Sequence, residues 1–547
     1  MKEQHTNRLR YWTPFVVSLT MVAGMFIGFK LRDSLRHKRN ITTIVQRNDR
    51  LEQIIDLINE RYVDSVNTNL LYRDAVNGII SHLDPHTVYI PADKLDAINE
   101  DLDGSFFGIG VEFSIVRDTI QITAVVENGP ADVAGVVTGD KLVKVGDSLV
   151  AGNGITSERI IGLLKGKQFS KVFLSLLEPG SPTVKVVGLK RDAIPKHSVD
   201  VAIMLDSLTG IIKINRFSAT TYEEFKTGLS KLKKQGLKNL VVDLRQNSGG
   251  YLDPARRIAD EFLSGDKMIV FTQGANSIPR RYIAERQGDF EDGRLTILID
   301  EQSASASEIL AGAVQDWDRG IIMGRRTFGK GLVQDQYELE DGSALRLTIA
   351  KYYTPSGRSV QRSFDGGRDD YEEDFYHRFE TGELTGYDTV AVEDTTRYFT
   401  SNNRVVYGGG GIRPDVYVPY DTTKLSTSLL NLIFSDGVKS VIWDYYIANR
   451  TRLRTYANID DYKRNFKADT LIDMYLQKQD RHTRKVIKLI LEDKRNRAYF
   501  KLQLKAQMAR LLFRDSGYYS LIFTDDAMVR RALSAMYSDE YSKLIGR

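Results

Sequence analysis

The period of the apolar residues changes several times along this chain, and each change marks an element. Tyr11 to Phe29, YWTPFVVSLTMVAGMFIGF, carries no charge and is close to the ~20 residues a helix needs to cross a bilayer. In ITTIVQRNDRLEQIIDLINERYVD, apolar residues at Leu51, Ile54, Ile55 and Ile58 predict an amphipathic helix whose stripe would pack on the body or on a second copy, a homo-oligomer. From about Gly104 to Arg191 short β-type runs, GVEFSIV, TIQITAVV, KLVKVG and KVFLSLL, alternate with Gly, Asp, Asn and Pro turns, the pattern of a small separate β-rich domain. From about Ile194 to Pro419 the strand-type runs TGIIKIN, KNLVVDLR and LTILID alternate with helical stretches near Tyr222–Gln235 and Asp253–Leu263, which predicts an α/β body. Beyond Thr422 stretches such as DTLIDMYLQKQ and AQMARLLF are amphipathic, with almost no strand signal between them.

The expected organisation is therefore multi-domain α+β: an N-terminal anchor over 1–40, a helical region over 41–103, the β domain over 104–191, the α/β body over 192–420 and a helical extension over 421–547. A length of 547 residues is too great for one core, which agrees. Net charge is +4 from 76 basic and 72 acidic residues, so there is no global case for nucleic acid. Locally, Arg481 to Arg514 is rich in Lys and Arg against Glu492 and Asp493; apolar residues recur through it, which favours a solvated helical face over a surface for acidic lipid or nucleic acid.

The chain has no cysteine, which removes disulfides, thiolate metal sites, a cysteine nucleophile and a lipidated N-terminal cysteine together. No small-x-small cleavage site follows Phe29, so an uncleaved anchor is expected. Lys2, Arg8 and Arg10 precede the span while Lys30, Arg32, Arg36, Lys38 and Arg39 follow it, and these flanks alone favour a cytoplasmic body. His82, Asp84 and His86 in SHLDPHTVYIP have the composition of a metal site, but Pro85 predicts a turn and no further His or Cys lies nearby; no metal is assigned.

The stretch IDEQSASASEILAGAVQDW joins an apolar strand to a helix and places serines at alternate positions on the turn. Ser305 and Glu308 have capping-box spacing, so the plain reading is a serine that satisfies a free amide. The same place suits a nucleophile, because free amides at a helix start stabilise a developing oxyanion. A serine needs a base, and none of the seven histidines sits in a recognisable triad motif. Lys330, between glycines in TFGKGLVQ, is the other candidate, since burial lowers an amine's pKa toward the working range.

SASASEI followed by FGKGLVQ resembles the signature of the C-terminal processing peptidases, the tail-specific proteases. The resemblance implies Ser305 as nucleophile, Lys330, 25 residues later, as general base, and Gln334, four residues beyond, as the group that orients the lysine. VVDLRQNSGGYL resembles the family's preceding motif and implies an oxyanion hole from the amide of Gly250, in preference to Gly249, together with that of Ala306; Ser248 departs from the Pro or Gly of many relatives. FGIGVEF with NGPADVAGVVTGDKLVKVGD is similar to the PDZ domain of these enzymes, with Gly108, Ile109, Gly110 and Val111 at the head of the site for a substrate's terminal carboxylate. YYTPSGRSVQ and GGGGIRPDVYV also recur in the family, so the resemblance spans about Leu51 to Pro419 and leaves the extension and the acidic insertion FDGGRDDYEEDF unexplained.

The resemblance further implies a crotonase-like catalytic body, no cofactor, substrates that are proteins or peptides with apolar C-termini, and a body outside the cytoplasmic membrane, in the periplasm. The last expectation opposes the flanking charges. Two rivals remain: a non-catalytic PDZ scaffold, disfavoured by the intact Ser305, Lys330 and Gln334, and an acyl-CoA enzyme on the same body, which has no use for a PDZ domain.

Overall fold

A computed structural model describes residues 50–386, 396–421 and 426–546. The expected anchor stretch Tyr11–Phe29 lies outside them; among the described residues no helix is long and apolar enough to cross a membrane. The chain divides into two compact units, Met1–Ile79 and Ile80–Arg547. In the first, the predicted amphipathic helix is Arg50–Arg61, and a second helix begins at Thr68, whose hydroxyl donates to Asn59.

In the second unit the strand Val88–Ile90 and the helix Ala92–Asp103 precede the expected β-rich piece. Its strands Val111–Ile115, Ile120–Val125, Lys141–Val145, Lys171–Leu177 and Val184–Lys190 form an antiparallel sheet in that order, with Val111–Ile115 at an edge. Alternating residues such as Ile120, Ile122, Leu142, Leu174 and Leu176 close a core of its own with Ile160 from the helix Ser157–Leu164. The piece joins the body through two antiparallel strands, Ser105–Gly108 and Asp192–Pro195, with Ser105 opposite Pro195 and Gly108 opposite Asp192. That neck is why the sequence pattern changes at Gly104 and Arg191.

The body holds a six-stranded sheet in the order Val199–Met204, Thr209–Ile214, Asn239–Asp243, Arg294–Ile299, Ile321–Gly324 and Val416–Tyr417. The first pair is antiparallel and the rest parallel. Parallel strands need cover on both faces, which explains their near-continuous apolar runs. The helices Thr221–Lys234, Leu252–Asp260 and Ala306–Asp316 pack on one face. The other is covered by the end of the extension, where Phe523, Met528, Val529 and Ala532 meet Ile211, Val241 and Leu298. Arg245, just past the strand Asn239–Asp243, pairs with Asp526 at 2.8 Å, and Asp526 also caps the helix Ala527–Met536.

A second sheet is built on the long strand Ala344–Tyr353, which pairs with Val88–Ile90, Leu332–Glu338 and Met268–Gly274. The rest of the extension is helical with its own core around Trp443, Tyr462, Tyr475 and Phe500, and this core takes in Val116 of the β-rich piece. Trp443 Nε1 donates to Gln121 Oε1 at 3.2 Å, and Arg514 donates to the Val125 carbonyl. Several cations of the basic stretch are occupied within the fold: Arg484 Nε donates to the Leu476 carbonyl and Lys501 pairs with Asp469. The acidic insertion forms a helix, Arg368–Glu380, anchored by buried Tyr371 and Arg378.

Candidate active site

The three alternate serines separate into two kinds. Ser303 and Ser307 are fully buried and pinned to the end of the neighbouring strand, Ser303 Oγ donating to the Leu244 carbonyl (2.8 Å) and Ser307 Oγ to that of Asn247 (2.9 Å). Ser305, between them, lines an open cavity of about 1190 Å³. Its backbone is at φ 53°, ψ −113°, a conformation that costs a non-glycine residue on the order of 1–3 kcal/mol and persists when the surroundings enforce it.

Those surroundings are the turn Asn247–Gly250. Buried Asn247 accepts the Ala304 N–H on its carbonyl (3.0 Å), while its side chain donates to the Ile214 carbonyl (3.0 Å) and accepts the Gly249 N–H (2.9 Å). A Cβ on Gly249 would stand 2.8 Å from Ser305 Cβ and from the Ala304 oxygen, so the two turns can touch because that residue is glycine. Gly250, at φ 138°, forms a parallel bridge with Phe217 in which Gly249 O and Tyr251 N–H make the bonds. Its own N–H is thereby turned away from Phe217. Gly250 and Ala306, the first residue of the helix Ala306–Asp316, both line the cavity, and amides of a first helical turn have no intrahelical acceptor.

Lys330 stands on the loop before the strand Leu332–Glu338, and its Nζ donates to Gln334 Oε1 at 2.9 Å. Gln334 is oriented in turn, because its Nε2 donates to the His86 carbonyl. Burial, and next the positive charge of Arg346, push the Lys330 pKa below its ordinary value, which raises the neutral fraction. The lysine's hydrogen bond runs to Gln334 rather than to the Ser305 hydroxyl.

What joins the serine turn to the lysine loop is Glu308, whose role went unread in the sequence. Its Oε2 accepts the N–H of Ser305 and of Lys330 at 2.8 Å each; its Oε1 accepts Thr327 Oγ1 (2.6 Å) and the Gly329 N–H (2.8 Å). The capping-box spacing is thus real. However, the Glu308 N–H donates to the Ser305 carbonyl (2.8 Å), and the Ser305 hydroxyl makes no cap hydrogen bond. Full burial pushes the Glu308 carboxyl up to about 7, against the four donors that favour its charged form. The Tyr352 hydroxyl lies between the Ser305 carbonyl (3.1 Å) and that of Lys330, a second tie between the same segments.

His86, weighed as a metal ligand, instead sets its ring against Tyr371, Nε2 to Oη 2.9 Å, and burial followed by the Lys330 charge lowers it to about 4. Asp84 accepts the His86 and Thr87 amides and the Thr87 hydroxyl, closing the turn that Pro85 predicts. Phe375 from the helix Arg368–Glu380 stands in the cavity wall. Apart from this cavity, Gly108 ends its neck strand, Ile109 is buried and accepts the Ala131 N–H, and Gly110, at φ 78°, accepts the Val126 N–H as the chain enters the edge strand at Val111.

A serine on a strained strand-to-helix turn, a desolvated lysine and amides at the same cavity are the equipment of a hydrolase that works by acyl transfer. Residues 208–372 match peptidase family S41, and residues 429–515 match a family of unknown function. The chain is similar to a probable CtpA-like serine protease of Staphylococcus aureus, 32% identical over 62% of this chain and 67% of the relative, and to a like-named protein of Staphylococcus haemolyticus with the same identity and coverage. Among solved structures it is similar to the photosystem II D1 C-terminal processing protease, 27% identical over 57% of this chain and 89% of that one, with a TM-score of 0.33. It is also similar to the PDZ domain of a carboxy-terminal protease from Vibrio cholerae, 32% identical over 16% of this chain and 97% of that one, with a TM-score of 0.16. The chain belongs to peptidase family S41 and is a serine peptidase.

Proposed function

We propose that the protein is an endopeptidase with Ser305 as nucleophile, Lys330 as general base and Gln334 as the group that orients the base. The observation that carries this is a lysine desolvated into a cavity shared with Ser305 and bonded to Gln334, itself held by the His86 carbonyl. Neutral Lys330 takes the Ser305 proton as Oγ bonds to the substrate carbonyl carbon, and the carbonyl electron pair moves to oxygen. The amides of Gly250 and Ala306 receive that oxyanion. Collapse breaks the C–N bond, the lysine ammonium protonates the leaving amine, and water releases the acyl group by the same route. Apo sites commonly leave the nucleophile–base bond unmade until substrate enters.

In this reading residues 104–191 are a PDZ domain. A substrate tail adds to the edge strand Val111–Ile115, with its carboxylate at Gly108–Gly110 and its apolar last side chain beside the strand. Tyr11–Phe29 anchors the protein in the cytoplasmic membrane, with the body in the periplasm. The test is incubation of the purified protein with an unfolded polypeptide and mass spectrometry of the products. Internal cleavage that disappears in Ser305→Ala supports the reading; no Ser305-dependent product overturns it.

A further inference from the structure

The cavity that holds Ser305 and Lys330 also holds a guanidinium without an anionic partner. Arg346 is half-buried, its Nη2 donates to Gln336 Oε1 at 2.9 Å, and no carboxylate among the described residues lies within ion-pair distance of it. The buried arginines have carboxylate partners, among them Arg325 with Glu301 (2.8 Å), Arg358 with Asp316 (2.7 Å) and Arg378 with Glu383 (2.9 Å), while half-buried Arg191 and Arg484 spend their donors on backbone carbonyls. Within the cavity itself Arg216 has Asp101 at 3.1 Å. Taking a charge out of water without a partner is costly, and a carboxylate that arrives with a ligand removes that cost.

The strand register says where such a carboxylate would come from. Gln334 lies opposite Thr348 and Gln336 opposite Arg346, so Arg346 lies two residues along the sheet from the group that holds Lys330. Two residues of strand span about 7 Å, which an extended substrate covers in about two residues. The remaining acids at the cavity wall are not available to it: Asp101 is held by Lys196 and Arg216, Glu301 by Arg325 and Tyr420, and Asp335 lies outside ion-pair reach.

We propose that Arg346 is a specificity-determining residue of the cleft, receiving a substrate carboxylate about two to four residues from the scissile bond. The inference rests on the cavity being the catalytic cleft. Either an acidic side chain or the substrate's own C-terminus supplies that group. Arg346 also acts on the base: together with burial its charge disfavours the Lys330 ammonium, against Asp84 and Glu308, which favour it, and beside His86, whose lowered pKa keeps it neutral at neutral pH.

The experiment uses the full chain and peptides identical except for Glu or Gln at single positions two to four residues on either side of the cut. A further pair of the same peptide ends within that reach, one free and one amidated. Wild type is expected to favour the carboxylate form at one position by about tenfold in kcat/KM, the scale of a charge-assisted hydrogen bond. Arg346→Met erases that preference and moves cleavage of the Gln peptide to higher pH, because losing a neighbouring cation raises the Lys330 pKa; Arg346→Lys keeps part of the preference and the wild-type pH profile. Preference for Glu identifies a side chain, and preference for the free end identifies the terminus. Equal kcat/KM for every carboxylate and neutral pair in wild type overturns the proposal, as does a preference that survives in Arg346→Met. Absence of any Ser305-dependent cleavage brings down the catalytic reading as well, so the two failures are told apart.

Discussion

Glu308 accepts the backbone N–H of Lys330 at 2.8 Å on the same oxygen that accepts the N–H of Ser305. One buried carboxylate therefore ties the serine turn to the lysine loop, with the Tyr352 hydroxyl as the second tie. Glu308→Gln keeps the shape but can turn an N–H toward donors that need an acceptor, at about 1–3 kcal/mol for each donor left unsatisfied. The expected outcome is a lower melting temperature and a kcat reduced by roughly a hundredfold, with KM changed much less, as steady-state kinetics on a reporter peptide would show.

Ser305→Ala and Lys330→Ala should each lower kcat/KM by at least about a thousandfold while circular dichroism stays native. Lys330→Arg should be as inactive, since a guanidinium does not lose its proton at working pH. Gln334→Ala should cost less, because Lys330 keeps its buried setting. Near wild-type turnover by any Lys330 variant would refute the assignment.

Gly250→Ala would place a Cβ 2.1 Å from the Phe217 carbonyl oxygen at a φ of 138°. The turn must move, and with it the amide proposed to receive the oxyanion. Loss of one such donor costs about 10²–10³ in kcat. A variant with wild-type kcat would exclude this amide from the reaction.

The depressed pKa of His86 carries a pH dependence with a definite sign. Between about 4 and 6.5 the folded state binds fewer protons than the unfolded state, so stability present above 6.5 is lost as pH falls toward 4, by up to about 3 kcal/mol from this group. His86→Leu lacks that term. Urea titrations should show wild type losing its advantage over the variant as pH drops from 7 to 4.5; a constant difference would contradict the burial assigned to the ring.

If tails add to the edge strand Val111–Ile115, one unfolded reporter with an apolar, an acidic or an amidated C-terminus should be cut fastest in its apolar, free form. Equal rates for the three tails would leave residues 104–191 without a role in selection.

Much of this was legible because local chemistry decided it. Alternation and turn residues located the β-rich piece, and the strand-to-helix turn placed the three serines, while the choice of Ser305 among them came from the resemblance of SASASEI and FGKGLVQ to the peptidase signature. Contributions from distant strands could not be read. Arg346 and Tyr352 reach the cavity through the pairing of Ala344–Tyr353 with its neighbours, which no local pattern encodes. Glu308 was visible as a cap, but its hold on Lys330 depends on a loop 22 residues away. Amphipathic spacing gave the C-terminal helices an apolar face without naming its neighbour, so the cover that Met528 and Val529 place on the catalytic sheet emerged only in three dimensions. FDGGRDDYEEDF stood as an unexplained acidic insertion; from Arg368 it runs into the helix Arg368–Glu380, whose Phe375 lines the cavity.

The neck formed by Ser105–Gly108 and Asp192–Pro195 brings the two ends of the β-rich piece to the spacing of paired strands, about 5 Å. A segment whose ends meet can be exchanged without rerouting the chain on either side, so the piece is a natural cassette for grafting a different binding module. Its contacts with Trp443 and Arg514 set the condition for such a chimera. The replacement must either offer the helical extension an equivalent of Gln121 and the Val125 carbonyl or be transplanted together with it.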